Sequence, residues 1–500
     1  MSTFHLINFG CRASQADGAA LKRQLLDAGL AEAVSFEQSH VTVLNTCTVT
    51  ATADAEVRQV IRRIHRANPQ CRILVTGCYA QRAPEEIAKL PGVAWVVGNS
   101  HKHVIAEVLS QKVESEVSPS ADGQESEEQN SEVSPSADGQ KSEENQGTGL
   151  VQIKFRATGS SAPHEEETEP RIPNPETRAT VLVGEITEEF HFAPVFPDDC
   201  TRPTLKVQDG CDARCSFCII PEVRGASRSL TPEKVIEQVR QLARDGYQEL
   251  VLSGINLGSY GKDLDRRITF LELVERILAE TSIPRLRISS IEPMDVSPDL
   301  IRLVASEPRM ARHFHVPLQS GCDRILRLMN RRYWAAHYAE RIQEIDAQIP
   351  NCGIGADVMV GFPGETAEDH QTSLRFIDSL PFTYLHVFPY SSRPGTPAAA
   401  RADHLNGRII HERGQEVRAL MAQKRQAYLQ SQIGRTLSAV TLDEDEDGAR
   451  VALSTNYLKL VLPGSDVPAN TLLEARVGRV YGGLVYAYPE VEVAFRSVRC

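Results

Sequence analysis

Three cysteines, Cys211, Cys215 and Cys218, fall within "DGCDARCSFCIIP" at the spacing C-x3-C-x2-C, and no fourth cysteine or histidine follows closely enough to complete the set. Structural zinc is almost always closed by four protein ligands, so a local trio is short by one. Iron-sulfur clusters are also held by cysteine thiolates, and a cluster with three protein ligands leaves one iron open to a substrate or cofactor. The trio therefore points to a reactive 4Fe-4S cluster. Cys11, Cys47 and Cys78 form a second set, dozens of residues apart, each closing a similar apolar run: "FHLINFGC", "VTVLNTC" and "RILVTGC". Cys71 opens its run instead of closing it and reads as structural.

The elements that must position these groups alternate regularly. Each of the three N-terminal runs is followed by a helical pattern, "SQADGAALKRQLLDAG", "TATADAEVRQVIRRIHRA" and "APEEIAKL", which predicts a doubly wound, flavodoxin-like α/β domain over residues 1–112. In such sheets ligands sit beyond the carboxyl ends of the strands, and Cys11, Cys47 and Cys78 all lie at that edge, so a shared metal site is expected there. Six further runs, from "TLKVQDGC" to "YLHVFPYSS", alternate with helices and predict a partial (β/α)6 barrel over residues 200–433, including a long exit helix. The loop of Cys211 follows its first strand, which places the C-x3-C-x2-C trio at the barrel mouth. From Gly434 to Cys500 short β-like runs with turn residues predict a small β-barrel.

Composition bounds the remainder. The net charge of −12 is concentrated between Val113 and Pro170, where 14 acidic residues face three basic ones. The folded body is close to neutral, so phosphate-binding patches remain compatible with the charge. The acidic stretch contains a tandem repeat, "SEVSPSADGQESEEQN" followed by "SEVSPSADGQKSEEN", and residues 113–178 are expected to form a disordered linker. No window approaches 18 consecutive apolar residues and the N-terminus has no signal-peptide pattern, so a cytoplasmic, non-membrane protein is expected. Eleven cysteines then read as metal or redox ligands in preference to disulfides.

The cysteine loop, with the aromatic Phe217 before its last cysteine, resembles the radical S-adenosylmethionine (SAM) enzymes. The resemblance implies that SAM chelates the open iron and is cleaved reductively to a 5′-deoxyadenosyl radical that abstracts hydrogen from an unactivated carbon. It also implies SAM contacts at Gly254 in "LSGIN", at Ser289, Ser290 and Glu292 in "RISSIEP", and at Asp357 in "GADVMVGFPGET". The alternative reading of Ser289 and Ser290 is as strand-end caps.

With "GC…NTCTVT…TGCYAQ" at Cys11, Cys47 and Cys78, the chain is identified as a member of the radical SAM methylthiotransferases, over nearly its whole length apart from the acidic linker. Membership implies a second 4Fe-4S cluster on these three cysteines, two SAM per turnover, a C-terminal RNA-binding module of the TRAM type, an electron donor such as flavodoxin or ferredoxin, and a monomer. "NTCTVTATADAEVRQVIRR", the compact "CSFCIIPEVRGASRS" and "STNYLKL" resemble most the branch that converts N6-threonylcarbamoyladenosine, at position 37 beside the tRNA anticodon, to its 2-methylthio derivative. The isopentenyladenosine branch and the branch acting on an aspartate of a ribosomal protein usually carry a longer segment after the pair matching Arg224 and Gly225. Ser14 departs from the asparagine common at its position, and the acidic linker has no counterpart.

Candidate contacts to the anticodon stem-loop are Arg58 to Arg66, Arg224, Arg228, the segment Arg327 to Tyr333, and Arg393. His313 and His315 are expected to line the barrel. A rival of another class is a noncatalytic, zinc-dependent RNA-binding protein using the same cysteines. Excision of Val113 to Pro170 is expected to leave iron content and activity nearly intact; loss of either would contradict the linker reading.

Overall fold

The computed structural model describes residues 2–116, 179–186 and 201–490. The helix Ile105–Glu116 runs into the expected linker and takes in the first two residues of the acidic repeats; the rest of the repeats lies outside the described residues. The described residues before 114 and after 178 belong to one compact unit.

The N-terminal part is a six-stranded parallel sheet. Its strands are β1 (Thr3–Asn8), β2 (Ala31–Glu32), β3 (Val41–Thr46), β4 (Arg72–Gly77), β5 (Val93–Val97) and β6 (Thr180–Leu182), in the spatial order β2-β1-β3-β4-β5-β6. This is a doubly wound sheet of the class expected from the alternating runs, in which the three foreseen strands β1, β3 and β4 lie together and β2, β5 and β6 are added, the last from beyond the acidic segment. The helices turn an apolar stripe to the sheet: in Ala51–Ala67, Val57, Ile61 and Ile64 are buried while Arg62, Arg63 and Arg66 are exposed.

The central part contains β7 (Thr204–Asp209), the short antiparallel β8 (Arg228–Ser229), β9 (Leu250–Gly254), β10 (Leu286–Ile288), β11 (His313–His315), β12 (Gly353–Val360) and β13 (Tyr384–Pro389). The strands β7, β9 and β10 pair in parallel, as do β11, β12 and β13, and bridges at Leu286–Met310 and Ser290–His315 join the two sets. The result is six parallel strands in sequence order, an open (β/α)6 barrel. β12 is buried along almost its whole length, as a parallel strand covered on both faces must be. The outer helices are cut by local signals, such as the Thr269/Glu272 capping box that starts Phe270–Glu280.

After the helix Gly407–Gln430, strands β14 (Thr436–Glu446), β15 (Ala449–Ser454), β16 (Lys459–Leu462), β17 (Leu472–Tyr481) and β18 (Leu484–Pro489) close a barrel in the order β14-β15-β16-β18-β17. Ala439, Ala452, Ala475 and Ala487 point inward with Leu460 and Val485, small residues that allow so narrow a barrel to close.

Charged groups tie the parts together. Glu249, fully buried, takes a two-point contact from Arg287 (2.8 and 3.1 Å) and a bond from Arg202 (2.7 Å), with Arg285 at 3.7 Å. Arg287 also donates to the carbonyls of Ser454 and Thr455, which docks the small β-barrel on the base of the larger one. Burial opposes ionisation of Glu249, yet the three guanidiniums bring its pKa down to about 2. A depressed carboxylate stabilises the fold fully above its unfolded pKa near 4.5, and that contribution is lost as pH falls toward 2. Thermal melts are therefore expected to show a steep loss of stability between about pH 4.5 and 2. Glu249→Gln should lower stability at pH 7 by about 3–5 kcal/mol and flatten that acid limb; an unchanged limb would contradict the assignment.

Candidate active site

The two cysteine trios lie on the two sides of the joint between the N-terminal sheet and the barrel, where Cys78 packs on Ile219, the residue after Cys218. Cys47 and Cys78 directly follow β3 and β4, and Cys11 lies just past β1. Two glycines bring these strand ends together. Gly10 (φ +95°) lies so close that a Cβ there would stand 2.4 Å from Cys47 Cβ, and a Cβ on Gly77 (φ +97°) would stand 2.3 Å from the Thr46 carbonyl. Burial first, then the neighbouring Cys78 and Cys11, push the Cys47 thiol up to about 11.

On the barrel side, Cys211 follows β7 and accepts a hydrogen bond from the Ala213 amide at 3.4 Å. Cys218 is pushed up to about 12 by burial and then by Cys215 and Cys211, and Cys211 is raised by burial and by Cys215. Arg331 donates to Cys215 Sγ at 3.3 Å and is ion-paired with Glu292. Burial and neighbouring thiols thus hold Cys47 in one trio and Cys211 and Cys218 in the other toward the protonated form, and a bound metal cluster would offset this by ionising them. Among the described residues no group of three or more His, Cys, Asp or Glu side chains gathers around a single ion position. A cubane suits such spacing because each thiolate binds a different iron.

The expected SAM contacts have mixed surroundings. Ser289 Oγ is buried without a hydrogen-bond partner, as are Asn256 Oδ1 and Gln319 Oε1. Unpaired buried polar atoms at strand ends fit a ligand that would satisfy them. Ser290 Oγ meets His315 Nδ1 at 3.1 Å, and Asp357 lies 3.3 Å from His315 Nε2. Glu292 is engaged by Arg331, with burial raising its pKa. Gly254 packs where a Cβ would come within 2.8 Å of Leu257 and 3.0 Å of Gln208.

Between the trios lies a buried charge network absent from the sequence reading. Asp17, on the helix Arg12–Asp27, meets Lys102 at 3.2 Å, Arg224 at 2.9 Å and also Lys206. Arg224 and Lys206 bind Asp209 as well, two residues before Cys211. Burial opposes ionisation of Asp17 and Asp209, and the cations still hold both well below the usual carboxylate range. Asn99 donates to Cys78 Sγ at 3.5 Å and to the Val223 carbonyl at 2.8 Å, and Cys78 packs on Ile219 and Val223.

Three expected RNA contacts are thereby corrected. Arg224 is only 2% exposed, Arg331 is buried against Cys215 and Glu292, and Arg393 is buried against Asp54 at 2.6 Å. Each is held by a carboxylate distant in sequence. Arg327 instead stacks on the half-exposed Trp334 at 5.3 Å. A face that the sequence did not single out lies on β17 and β18: Arg476 is opposite Tyr488, Arg479 covers Tyr486 at 4.5 Å, and Tyr481 is 75% exposed. The alternation of β17, which turns Arg476 outward between the buried Ala475 and Val477, was the available signal.

Comparison with known proteins places the chain in a family. The sequence model of the radical SAM superfamily matches residues 205–377, and that of the uncharacterized protein family UPF0004 matches residues 3–98. The solved radical S-adenosylmethionine methyltransferase TsrM of Kitasatospora setae has the same fold over 80% of this chain and 77% of its own, with a TM-score of 0.50 at 14% identity. The central fold and its loop are thus those of a radical SAM enzyme, a class that works with a 4Fe-4S cluster and SAM. The chain is 34% identical to the threonylcarbamoyladenosine tRNA methylthiotransferase MtaB of Aquifex aeolicus, over 91% of this chain and 95% of that protein. It is 30% identical to the tRNA-2-methylthio-N(6)-dimethylallyladenosine synthase of Pelotomaculum thermopropionicum, over 98% and 99% of the two chains. The chain belongs to the radical SAM methylthiotransferases, enzymes that transfer a methylthio group. No helix among the described residues is long and apolar enough to cross a membrane.

Arg331 supplies a testable link between geometry and chemistry. A buried guanidinium beside Cys215 favours the more negative, reduced state of a cluster bound there. Arg331→Gln is expected to lower that cluster's midpoint potential by tens of millivolts and to slow reductive SAM cleavage about tenfold or more; an unchanged potential in a fully iron-loaded variant would contradict the assignment.

Proposed function

We propose that the protein converts N6-threonylcarbamoyladenosine at position 37 of tRNA to its 2-methylthio derivative. The observation that carries this reading is that two cysteine trios stand at the two sides of one ion-locked joint, Cys78 packing beside the Cys218 loop and Asp17 binding Arg224. In this reading Cys211, Cys215 and Cys218 hold the SAM-binding cluster, and Cys11, Cys47 and Cys78 hold a second one. When bound, the first would supply the radical that activates a C–H bond and the second the sulfur, with a second SAM giving the methyl group.

The chain's own residues orient and enclose these groups. Arg331 and Glu292 support the first trio, and the Asp17 network fixes the spacing of the second. Ser289, Asn256 and Gln319 offer unpaired polar atoms toward SAM, with Asp357 and Ser290 nearby through His315. The arginine and tyrosine face of β17 and β18 is suited to an anticodon stem-loop, since arginine neutralises phosphate and exposed tyrosine stacks bases. A flavodoxin- or ferredoxin-type electron donor, a monomeric state and a cytoplasmic location belong to the same proposal.

The threonylcarbamoyl substrate is supported by the Aquifex relative and by the direct passage from Cys218 through the short helix Ile220–Arg224 and Gly225 into β8, with no inserted segment. The Pelotomaculum relative favours an isopentenyl-type substrate as the second reading. Nucleoside mass spectrometry of tRNA from a deletion strain without a redundant enzyme separates them. Disappearance of 2-methylthio-N6-threonylcarbamoyladenosine, with the unmodified nucleoside accumulating, is the expected result. Persistence of that nucleoside, or loss of the methylthio isopentenyl derivative instead, contradicts the proposal.

A further inference from the structure

Most cations at the joint and inside the barrel are matched by a carboxylate. Lys102, Lys206 and Arg224 converge on Asp17 and Asp209, Arg202, Arg285 and Arg287 on Glu249, and Arg331 on Glu292. Arg12, the residue after Cys11, differs. Its Nη2 donates to Tyr457 Oη at 2.8 Å and its guanidinium lies 6.0 Å from that ring's centroid, while among the described residues no carboxylate stands within ion-pair distance of it.

The groups around it supply little negative charge. Tyr457 packs on His313 at 4.5 Å and on Tyr384 at 5.4 Å. Burial first, with Arg12 among the neighbouring charges, holds His313 and His386 below the ordinary imidazole range, so both are neutral at pH 7. Asp357, the acid that acts on His386 together with Arg12, faces His315. Tyr384, His386 and Tyr457 are all at least partly exposed, so this side of the interior is open to a ligand.

Tyr457 is held in place for this contact. It has a left-handed backbone (φ +68°), which is costly for a tyrosine and persists only where the surroundings impose it. They do so here: Arg287 grips the Ser454 and Thr455 carbonyls, and the Asn456 carbonyl lies where a Cβ on Gly353 would be only 2.2 Å away. The small β-barrel thus delivers one hydroxyl to one guanidinium and leaves the rest of that guanidinium uncommitted.

We propose that Arg12, oriented by Tyr457, recognises a carboxylate at the far end of the N6 substituent of the substrate base, and so selects a threonylcarbamoyl over an uncharged substituent. This rests on the substrate reading above. A guanidinium pairs with a carboxylate through two parallel charge-assisted bonds. A substrate without that carboxylate would bury the cation unpaired, and sites of this kind discriminate strongly. SAM also carries a carboxylate, and the experiment separates the two sources.

The test uses the reconstituted full-length enzyme and two synthetic anticodon stem-loops, one carrying N6-threonylcarbamoyladenosine and one with its threonine carboxylate converted to the carboxamide. The wild type is expected to prefer the carboxylate by about tenfold or more in kcat/KM, and to show a preference of the same sign in Kd measured by fluorescence anisotropy without SAM. Arg12→Gln should bring both ratios to within about twofold of unity and Arg12→Lys should keep part of the preference. A wild type that does not discriminate, an Arg12→Gln enzyme that still does, or an effect confined to the KM for SAM would overturn the assignment. Because the wild-type ratio is read without any substitution, poor folding of a variant does not shield the proposal. If the wild type modifies an isopentenyladenosine stem-loop and not the threonylcarbamoyl one, the substrate reading fails and this assignment falls with it; failure of the Arg12 assignment alone leaves the wild type active on threonylcarbamoyladenosine.

Discussion

The structure depends on a buried carboxylate shared between two halves of the chain. Asp17 belongs to the N-terminal sheet's first helix, yet Lys206 and Arg224 reach it from the barrel and Lys102 from its own side. A carboxylate and three cations withdrawn from water are stable only together, because removal of any one strands the others in a medium that penalises unpaired charge. The joint is therefore fixed in geometry. Asp209 and Arg224, which complete the network, flank the C-x3-C-x2-C loop, while Asp17 lies on the helix that starts beside Cys11. The spacing of the two trios is thus set by the same contacts that hold the domains together.

A second constraint acts at the base of the barrel. Glu249 gathers three arginines, and Arg287 passes the restraint on to the Ser454–Leu458 segment of the small β-barrel. That segment inserts Tyr457 against His313 and Tyr384, so the C-terminal module closes the interior from below as well as offering its arginine and tyrosine face outward. The polar interior is unusual for a barrel, whose centre is ordinarily filled by branched apolar side chains. Here Arg12, His313, Tyr384 and Tyr457 meet in a polar, aromatic cluster, which suits a polar ligand.

Much of this architecture was legible in the sequence because the signals were local. Runs such as "VTVLNTC" and "RILVTGC" carry a strand, a tight turn and a cysteine in a single stretch, and the carboxyl-edge rule of parallel sheets brings them together. β2 and β6 escaped notice because two or three residues give no periodicity, and β6 joins the sheet only after the acidic segment; β5 was passed over too, since its run "VAWVV" closes on no cysteine. The charge network was illegible for another reason. Asp17 and Lys206 are 189 residues apart and Asp17 and Arg224 are 207 apart, so nothing near either residue announces its partner. For the same reason Arg224, Arg331 and Arg393 read as a phosphate-binding surface until their distant carboxylates showed them to be internal.

Two cysteine trios at one joint should each hold a cluster. The most direct measurement is iron and sulfide content after anaerobic reconstitution, with Mössbauer spectra of the wild type and of two triple-alanine variants, at Cys11/Cys47/Cys78 and at Cys211/Cys215/Cys218. About eight irons and eight sulfides per chain are expected, falling to about four in each variant with a 4Fe-4S signature remaining. Stoichiometric zinc without iron, or a variant at one trio that empties neither or both sites of an otherwise folded protein, would contradict it.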